Sequence, residues 1–329
     1  MDSATNLKGR SLLTLRDLST HELLGLLDLA VELKRKKREG GRGDRLAGKN
    51  IALLFEKMST RTRCAAGVAA FDEGGHAEYL SADEIHLGKK ESVRDTARVL
   101  GRMFHGILFR GYRQETVEAL ARYSGVPVWN GLTDEFHPTQ AMADLMTIRE
   151  AFGRLQGVKV VYVGDGRNNV ANSLMVGCAY AGMDFVNCAP PELAPRADRV
   201  EEAARIAAHN GGRVSVVTDP AAAVPGANVI YTDVWTSMGE EAKFAERVRL
   251  LRPYQVNMAL MKQTGNLESG KVVFLHCLPA FHDDKTEVTR TIGALEVTDE
   301  VFEAPFSLVF DEAENRVHTT KAIFVATLA

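Results

Sequence analysis

The chain has 329 residues, 45% of them hydrophobic and 25% charged, which excludes a largely disordered protein and gives room for two domains of roughly 150 residues each. Its 40 basic and 43 acidic residues leave a net charge of −3, which disfavours a nucleic-acid partner. No apolar run approaches the ~18–20 residues of a membrane span, and the first ten residues lack the apolar core of a secretory signal. Four cysteines without paired spacing argue against disulfides and zinc, so we expect a cytoplasmic protein with no membrane partner.

Helices and strands alternate through the first half. A helix over 19–37 begins with Ser19 and Glu22 in capping-box spacing and ends in the basic run Lys34–Arg38. That run could bind phosphate, but it is more typical of a solvated helix end that complements the helix dipole. Further expected strands are 50–57, 76–81, 106–110 and 126–129, and further expected helices are 59–71, 92–103, 114–123 and 139–152.

The alternation restarts after Gly153. The expected strands are 158–163, 184–188, 213–218, 229–234 and 272–278, and the expected helices are 169–181, 196–209, 240–251 and 312–328. Such alternation predicts mostly parallel sheets with helices on both faces. The predicted fold class is therefore α/β, with two doubly wound parallel-sheet domains over 1–150 and 151–311 that are joined by the long helix at 139–152.

Polar residues follow the predicted strands, where ligands bind in open α/β sheets. In the first half these are Glu56–Arg63, Arg110 and His137–Gln140, and in the second half Asp165–Asn169, Asp233–Gly239 and His276–Pro279. The first half thus presents cations, hydroxyls and a helix start, whereas the second presents a carboxylate, amides, a hydroxyl and a thiol.

Ser59-Thr60-Arg61-Thr62 at a helix start has the chemistry of an anion site. The first N–H groups of a helix lack helical partners, the dipole favours negative charge, and an arginine can make a charge-assisted fork to phosphate oxygens. The alternative is that Ser59 is a plain N-cap and the arginines are surface charge. Arg110 and His137 at neighbouring strand ends favour phosphate.

Other chemistries fit less well. Gly164-Asp165-Gly166 lacks the third glycine of a dinucleotide fingerprint, since Asn169 stands there, and no acid ends the next strand. Gly48-Lys49-Asn50 lacks the spacing and hydroxyl of a Walker loop. Cys277 beside His276 suggests a covalent thiol. Neighbours on a strand point to opposite faces, however, so we expect Cys277 to contact substrate rather than to form an adduct.

Together these residues resemble the transcarbamoylase family, and within it the ornithine-specific branch. The matching motifs, in family order, are Phe55–Arg63, Asp95–Arg102, Phe109–Tyr112, Glu135–Gln140, Gly164–Asn169, Asp233–Gly239, His276–Phe281 and Glu314–Arg316. The resemblance implies that the C-terminal helix, 312–329, returns to the first domain. It also implies homotrimers or multiples of trimers, with active sites at subunit boundaries, and a place in arginine metabolism and amino-acid biosynthesis.

The resemblance also implies substrates and site residues. The substrates would be carbamoyl phosphate and L-ornithine, the products L-citrulline and phosphate, with no cofactor and no metal. The residues implied at carbamoyl phosphate are Ser59, Thr60, Arg61, Thr62, His86, Arg110, His137, Gln140, Cys277 and Arg316, of which Arg61, Arg110, His137, Cys277 and Arg316 are expected to be catalytic. Those implied at ornithine are Asn169, Asp233, Ser237, Met238 and Leu278.

One residue departs from the family's pattern. His86 stands where the family usually has a glutamine that reaches a neighbouring subunit's site. Its alternative interpretation is an exposed loop histidine without ligand contact. Two other functions stay open at this point, namely a sister transcarbamoylase with a different amine acceptor and a non-catalytic regulatory relative. The residues do not decide in which direction the reaction runs.

Overall fold

The computed structural model describes residues 7–81, 85, 87–88, 90–236 and 243–329. It divides into two compact units: residues up to Met146 together with Glu314–Ala329 form the first, and Thr147–Ala313 form the second. Within the described part of the chain, no helix combines the length and the hydrophobicity that crossing a membrane requires.

The first unit is built on a parallel sheet of four strands in the order β2-β1-β3-β4. The strands are β1 Asn50–Phe55, β2 His76–Ser81, β3 Gly106–Arg110 and β4 Val128–Leu132. The helices are α1 Thr20–Arg38, α2 Thr60–Asp72, α3 Val93–Met103, α4 Gln114–Ser124 and α5 Pro138–Phe152, whose residues from Thr147 onward belong to the second unit. The inner strand β1 is buried at every position but its first, as a parallel strand covered on both faces must be, whereas the edge strand β2 is partly exposed.

The helix starts follow the predicted capping chemistry. The Ser19 hydroxyl accepts the Glu22 backbone N–H while the Glu22 carboxylate accepts the Ser19 N–H, which is the predicted capping box. The Ser92 hydroxyl accepts the Asp95 N–H at the start of α3. The capping box and the start of the first long helix are therefore confirmed.

Strand β4 lies two residues later than the predicted 126–129. Gly125 ends α4 in the left-handed conformation, with φ 74°, and the Val126 N–H then bonds the Ser124 hydroxyl. Pro127 has no N–H to give to a sheet. Pairing with β3 therefore begins at Val128 and continues to Leu132 through a register shift.

The second unit carries a parallel sheet of five strands in the order β7-β6-β5-β8-β9. The strands are β5 Lys159–Val163, β6 Asp184–Cys188, β7 Arg213–Val217, β8 Val229–Thr232 and β9 Val273–His276, and the helices are α6 Asn169–Tyr180, α7 Ala197–Asn210, α8 Pro220–Ala223, α9 Phe244–Leu251, α10 Met258–Gln263, α11 Thr289–Ile292, α12 Asp299–Phe302 and α13 Val309–Leu328. Helix α10 was not predicted, although Asn257 before it is an N-cap that accepts the Leu260 N–H.

The later part of α13 belongs to the first unit. Its Phe324 ring packs on Trp129 with centroids 4.4 Å apart, and the Trp129 indole N–H donates to Thr327 Oγ1 at 3.1 Å. Lys321 Nζ donates to Asp72 Oδ2 at 2.6 Å. The predicted α/β fold class, with two parallel sheets and a C-terminal helix that returns to the first domain, is confirmed.

The basic run at the end of α1 is only partly a solvated helix end. Lys34 is buried, and its Nζ donates to Asn315 Oδ1 at 2.7 Å. Lys37 pairs with Asp72 at 2.8 Å. The expectation of solvent exposure is therefore wrong for Lys34, because α13 covers this part of α1 and supplies an acceptor.

Each sheet has one place where the strand order reverses. In the first unit the chain goes from β1 to β2 on one side and returns to β3 on the other, so the reversal lies between β1 and β3. In the second unit it lies between β5 and β8. The crevice outside the carboxyl ends of two such strands is where ligands bind in doubly wound folds.

Candidate active site

The reversal point of the first sheet carries the start of α2. Ser59 is its N-cap in extended conformation, and its hydroxyl accepts the Thr62 N–H at 3.2 Å. The plain N-cap interpretation of Ser59 is thus correct as far as it goes. Beyond this cap, the first backbone N–H groups and the positive dipole end of this thirteen-residue helix face the space in front of Thr60, which favours an anion there.

Two arginines from distant parts of the sequence meet at Thr62. Arg110 Nη1, at the end of β3, donates to Thr62 Oγ1 at 3.3 Å, and Arg316 Nη2 from α13 donates to the same oxygen at 2.8 Å. Both guanidinium side chains belong to buried residues, 7% and 3% exposed. A single hydroxyl therefore fixes two desolvated cations beside the start of a helix.

His137 completes this group of positive and polar side chains. It is buried at the start of α5, with Nδ1 3.4 Å from Thr139 Oγ1. Burial, together with the charges of Arg316, Arg110 and Arg61, holds the pKa of His137 well below its usual value. The imidazole is consequently neutral at physiological pH. We call Arg61, Thr62, Arg110, His137 and Arg316 the cationic cluster.

Gln140 and Thr60 flank this cluster differently. Gln140 is buried on α5, and its side-chain nitrogen donates to Asp144 Oδ1 at 2.9 Å. Thr60 is exposed in the first turn of α2. Lys57 is a further cation of the Phe55–Arg63 motif. Its buried Nζ lies 2.6 Å from Asp134 Oδ1 and 4.2 Å from the centre of the Tyr112 ring, so it is held by protein groups.

The reversal point of the second sheet carries Asp233, just past the end of β8. It is buried, and its Oδ1 accepts the Val234 N–H at 2.7 Å and the Cys277 thiol at 3.0 Å. Burial raises the pKa of Asp233, and the neighbouring His276 and these hydrogen bonds partly offset that effect. A buried carboxylate of this kind is suited to bind an ammonium group.

Cys277 and His276 have different hydrogen-bond partners. The Leu278 N–H donates to His276 Nδ1 at 2.9 Å, and Nε2 lies 3.3 Å from Glu296 Oε1, outside hydrogen-bond alignment. Leu278 has φ 58°, a left-handed conformation that is uncommon for a leucine. We call Asp233, His276, Cys277 and Glu296 the acidic cluster.

Asn169 stands in the first turn of α6, after the turn that follows β5. The Asn168 side chain caps this helix by accepting the Val170 N–H at 2.7 Å. Asp165 is bonded to Arg167 and lies 3.3 Å from Nη1 of the buried Arg247. The turn that carries Asn169 is therefore fixed by an ion pair between residues 82 positions apart, which the sequence analysis did not predict.

Three residues implied by the resemblance lie outside the described part of the chain, namely His86, Ser237 and Met238. Among the other implied residues, the structure brings two sets together. Ser59, Thr62, Arg110, His137 and Arg316 come together in the first unit, and Asp233, Cys277 and Leu278 come together in the second.

Two groups of side chains in the described residues have the spacing of metal ligands. Candidate ligand atoms of Asp233, His276 and Cys277 lie within 4.8 Å of one another, as do those of His282, Asp283 and Asp299. In the first group, His276 Nδ1 already accepts a backbone N–H and the Cys277 thiol already bonds Asp233. A metal ion there would have to displace these hydrogen bonds.

Comparison with known proteins identifies the family to which this chain belongs. Residues 10–150 match the model described as aspartate/ornithine carbamoyltransferase, carbamoyl-P binding domain, and residues 156–327 match that of the Asp/Orn binding domain. The chain belongs to the aspartate/ornithine carbamoyltransferase family.

Individual relatives cover the whole chain. A catabolic ornithine carbamoyltransferase of Bacillus licheniformis is 59% identical, over 100% of this chain and 99% of its own length. An ornithine carbamoyltransferase of Thermotoga petrophila is 56% identical, over 99% of both chains. Among solved structures, the ornithine carbamoyltransferase of Pyrococcus furiosus superposes with a TM-score of 0.90 at 44% identity, over 98% of both chains.

Proposed function

We propose that this protein transfers the carbamoyl group from carbamoyl phosphate to the side-chain amine of L-ornithine, giving L-citrulline and phosphate. The observation that carries the proposal is the meeting of Arg110 and Arg316 on Thr62 at the start of α2. Two buried cations with a helix N-terminus match a small dianion. The acidic cluster of the second unit offers the complementary chemistry for an amino acid.

In this proposal the cationic cluster binds carbamoyl phosphate. The first turn of α2 and the arginines bind the phosphate oxygens, while neutral His137 hydrogen-bonds the carbonyl oxygen without adding a full charge. The proposed carbamoyl phosphate residues are Ser59, Thr60, Arg61, Thr62, His86, Arg110, His137, Gln140, Cys277 and Arg316. Donors fixed where charge develops on the carbonyl and the leaving phosphate stabilise the transition state by ~3–4 kcal/mol each.

The acidic cluster and its surroundings bind ornithine. Asp233 pairs with the α-ammonium group, which leaves the reacting amine beside Cys277. The proposed ornithine residues are Asn169, Asp233, Ser237, Met238 and Leu278. The thiol of Cys277 contacts substrate and forms no covalent bond in this proposal, and its neighbour His276 is bonded to the Leu278 N–H rather than to the thiol.

The chemical step is direct attack of a neutral amine on the carbonyl carbon. A free alkyl amine has a pKa of ~10.4, so the site has to select its minor neutral form. A C–N bond forms, the C–O bond to phosphate breaks, and the departing phosphate takes the proton of the amine. No electrons are transferred, so the step calls for no redox cofactor, and the cations supply the charge stabilisation that a metal ion supplies elsewhere.

The protein acts as a homotrimer, or a multiple of trimers, in the cytoplasm. Exposed apolar side chains on α2 and α3 support association, including Phe71 at 60% and Met103 at 66% exposure. The four cysteines form no disulfide, which suits a reducing compartment. One site catalyses both directions, and the relatives' names include both catabolic enzymes and enzymes without that qualifier, so the proposal covers arginine metabolism as a whole.

A citrulline assay with an acceptor panel tests the proposal. Carbamoyl phosphate is held fixed while L-ornithine, L-lysine, putrescine and L-aspartate are compared by kcat/KM. We expect L-ornithine to be preferred by at least a hundredfold. Preference for another amine would indicate a sister transcarbamoylase, and ligand binding without turnover would indicate a regulatory relative.

A further inference from the structure

Glu312 is a fully buried carboxylate in the first turn of α13, and it has no place in the site described above. Its Oε1 accepts the Tyr231 hydroxyl at 3.1 Å, and its Oε2 accepts the backbone N–H of His276 at 3.0 Å. Burying a carboxylate is costly unless it is well hydrogen-bonded, so these directional bonds are strong and hold both partners in place.

The two partners of Glu312 lie at the ends of neighbouring strands. Tyr231 is in β8, two residues before Asp233, and His276 ends β9, one residue before Cys277. The strands pair in parallel, with Thr232 opposite His276. One carboxylate therefore links the two strands at the level from which Asp233 and Cys277 extend.

The side chains of Asp233 and Cys277 form a second link between the two strands, at the place where ornithine is proposed to bind. The thiol donates to Asp233 Oδ1 at 3.0 Å, which makes the pair sensitive to any change in the separation of β8 and β9. Hydrogen bonds weaken steeply as distance and angle depart from the optimum. A small displacement of either strand end would therefore weaken the bond between Asp233 and Cys277 and let both side chains move.

We propose that Glu312 is a positioning residue for ornithine, because it fixes the separation of Asp233 and Cys277 through Tyr231 and the His276 backbone. This inference rests on the proposed function. It assigns to Glu312 no contact with substrate, and it predicts an effect on ornithine that leaves carbamoyl phosphate binding unchanged.

The kinetic test compares Glu312→Gln, Tyr231→Phe and the control Tyr254→Phe. The control removes another buried tyrosine hydroxyl of the same unit, one that donates to the Thr218 carbonyl. Glu312→Gln replaces one accepting oxygen by an amide nitrogen and should raise the ornithine KM at least tenfold, with the carbamoyl phosphate KM changed less than twofold. Tyr231→Phe should raise the ornithine KM about two- to tenfold, because it removes one of the two hydrogen bonds through which Glu312 links the strands.

A second measurement does not depend on turnover. In a Cys64→Ser background, which removes the exposed thiol, the rate at which iodoacetamide alkylates Cys277 reports its hydrogen bond to Asp233. We expect this rate to change several-fold in Glu312→Gln and Tyr231→Phe and to stay unchanged in Tyr254→Phe. A residue that only stabilised the fold would lower the melting temperature without changing this rate in the folded protein.

The outcomes separate the two proposals. If wild-type protein makes no citrulline, the proposed function is wrong, and the alkylation rates still decide whether Glu312 positions Cys277. If citrulline forms but the ornithine KM and the alkylation rate are unchanged in the folded variants, the inference on Glu312 is wrong. If Glu312→Gln does not fold, Tyr231→Phe decides by the same two measurements. An equal effect of Tyr254→Phe would also overturn the inference.

Discussion

The cationic cluster of the first unit and the acidic cluster of the second occupy the same topological position with opposite charge. Both lie where the strand order of a parallel sheet reverses. In the first, buried arginines converge on a neutral hydroxyl. In the second, carboxylates surround a thiol and a histidine. The same fold is thus compatible with binding a dianion or an ammonium group, because the ligand is determined by the side chains that follow each strand rather than by the fold.

The largest expected effect is on the cationic side. Arg61→Ala removes a cation near a bound dianion, and the loss of one well-placed donor costs ~3–4 kcal/mol, or about 10²–10³-fold in kcat. The carbamoyl phosphate KM should also rise. The matched control is Arg63→Ala on the same helix, because the Arg63 guanidinium is exposed and stacks on the Tyr79 ring at 3.9 Å. If Arg61→Ala kept more than a tenth of the wild-type activity, Arg61 would not belong to the site.

On the acidic side, Asp233→Asn should raise the ornithine KM about 10–100-fold, since a hydrogen bond to a charged group contributes ~1.5–3 kcal/mol. The carbamoyl phosphate KM should stay within about threefold, because the cationic cluster is untouched. Asp184→Asn, at the amino end of β6, is the matched loss of a carboxylate from the same unit. Steady-state kinetics with each substrate varied in turn gives the measurement. Equal changes in KM for both substrates would contradict the assignment of one substrate to each cluster.

A smaller effect is expected for Cys277→Ser. A serine hydroxyl can still donate to Asp233, so we expect activity to fall about two- to tenfold, the range of one altered hydrogen bond. Cys64→Ser, which changes the exposed thiol, is the control. Loss beyond ~10⁴-fold, or a carbamoyl-thiol adduct seen by mass spectrometry, would instead indicate covalent catalysis.

The smallest effect concerns stability rather than turnover. Burial, with the nearby charges of Lys321 and Lys34, lowers the pKa of His318 to about 4, although Glu314 opposes this. Because the unfolded chain binds this proton near pH 6.5 and the folded chain does not, the neutral histidine's contribution is complete above pH 6.5 and is lost as the pH falls toward 4.

The test is urea unfolding of His318→Gln between pH 7 and pH 4.5. Glutamine does not titrate, so the free energy of unfolding should fall less steeply with decreasing pH than in the wild type. His209→Gln, which removes an exposed histidine of α7, is the matched control variant. Parallel slopes in all three proteins would show that the surroundings of His318 do not disfavour its charge.

Local chemistry in the sequence predicted much of the fold and several residues of each cluster. The capping pairs Ser19–Glu22 and Ser92–Asp95 mark helix starts because the serine hydroxyl accepts the backbone N–H of the residue three positions later. The prediction that residues 59–62 bind an anion follows from residue types at a helix start. These are short-range interactions, and they can be read without knowing the rest of the structure.

Long-range placement could not be predicted in the same way. Arg316 is 254 positions from Thr62, and only the return of α13 brings them within 2.8 Å. Glu296 and Glu312 look like ordinary surface carboxylates in the sequence, yet both are fully buried. Burial of a charged side chain depends on which elements cover it, and a single sequence does not contain that information except where a family resemblance supplies it.

The division of the first unit between two stretches of sequence bears on the order in which the protein is made. Arg316, Lys321 and Phe324 lie in 314–329, so the ribosome adds them after the whole of the second unit. The second unit has all of its strands before then, whereas the first still lacks the helix that covers Trp129. Domains fold as their chains become available during synthesis. The residues of the acidic cluster are therefore all synthesised before Arg316, the last residue that the cationic cluster requires.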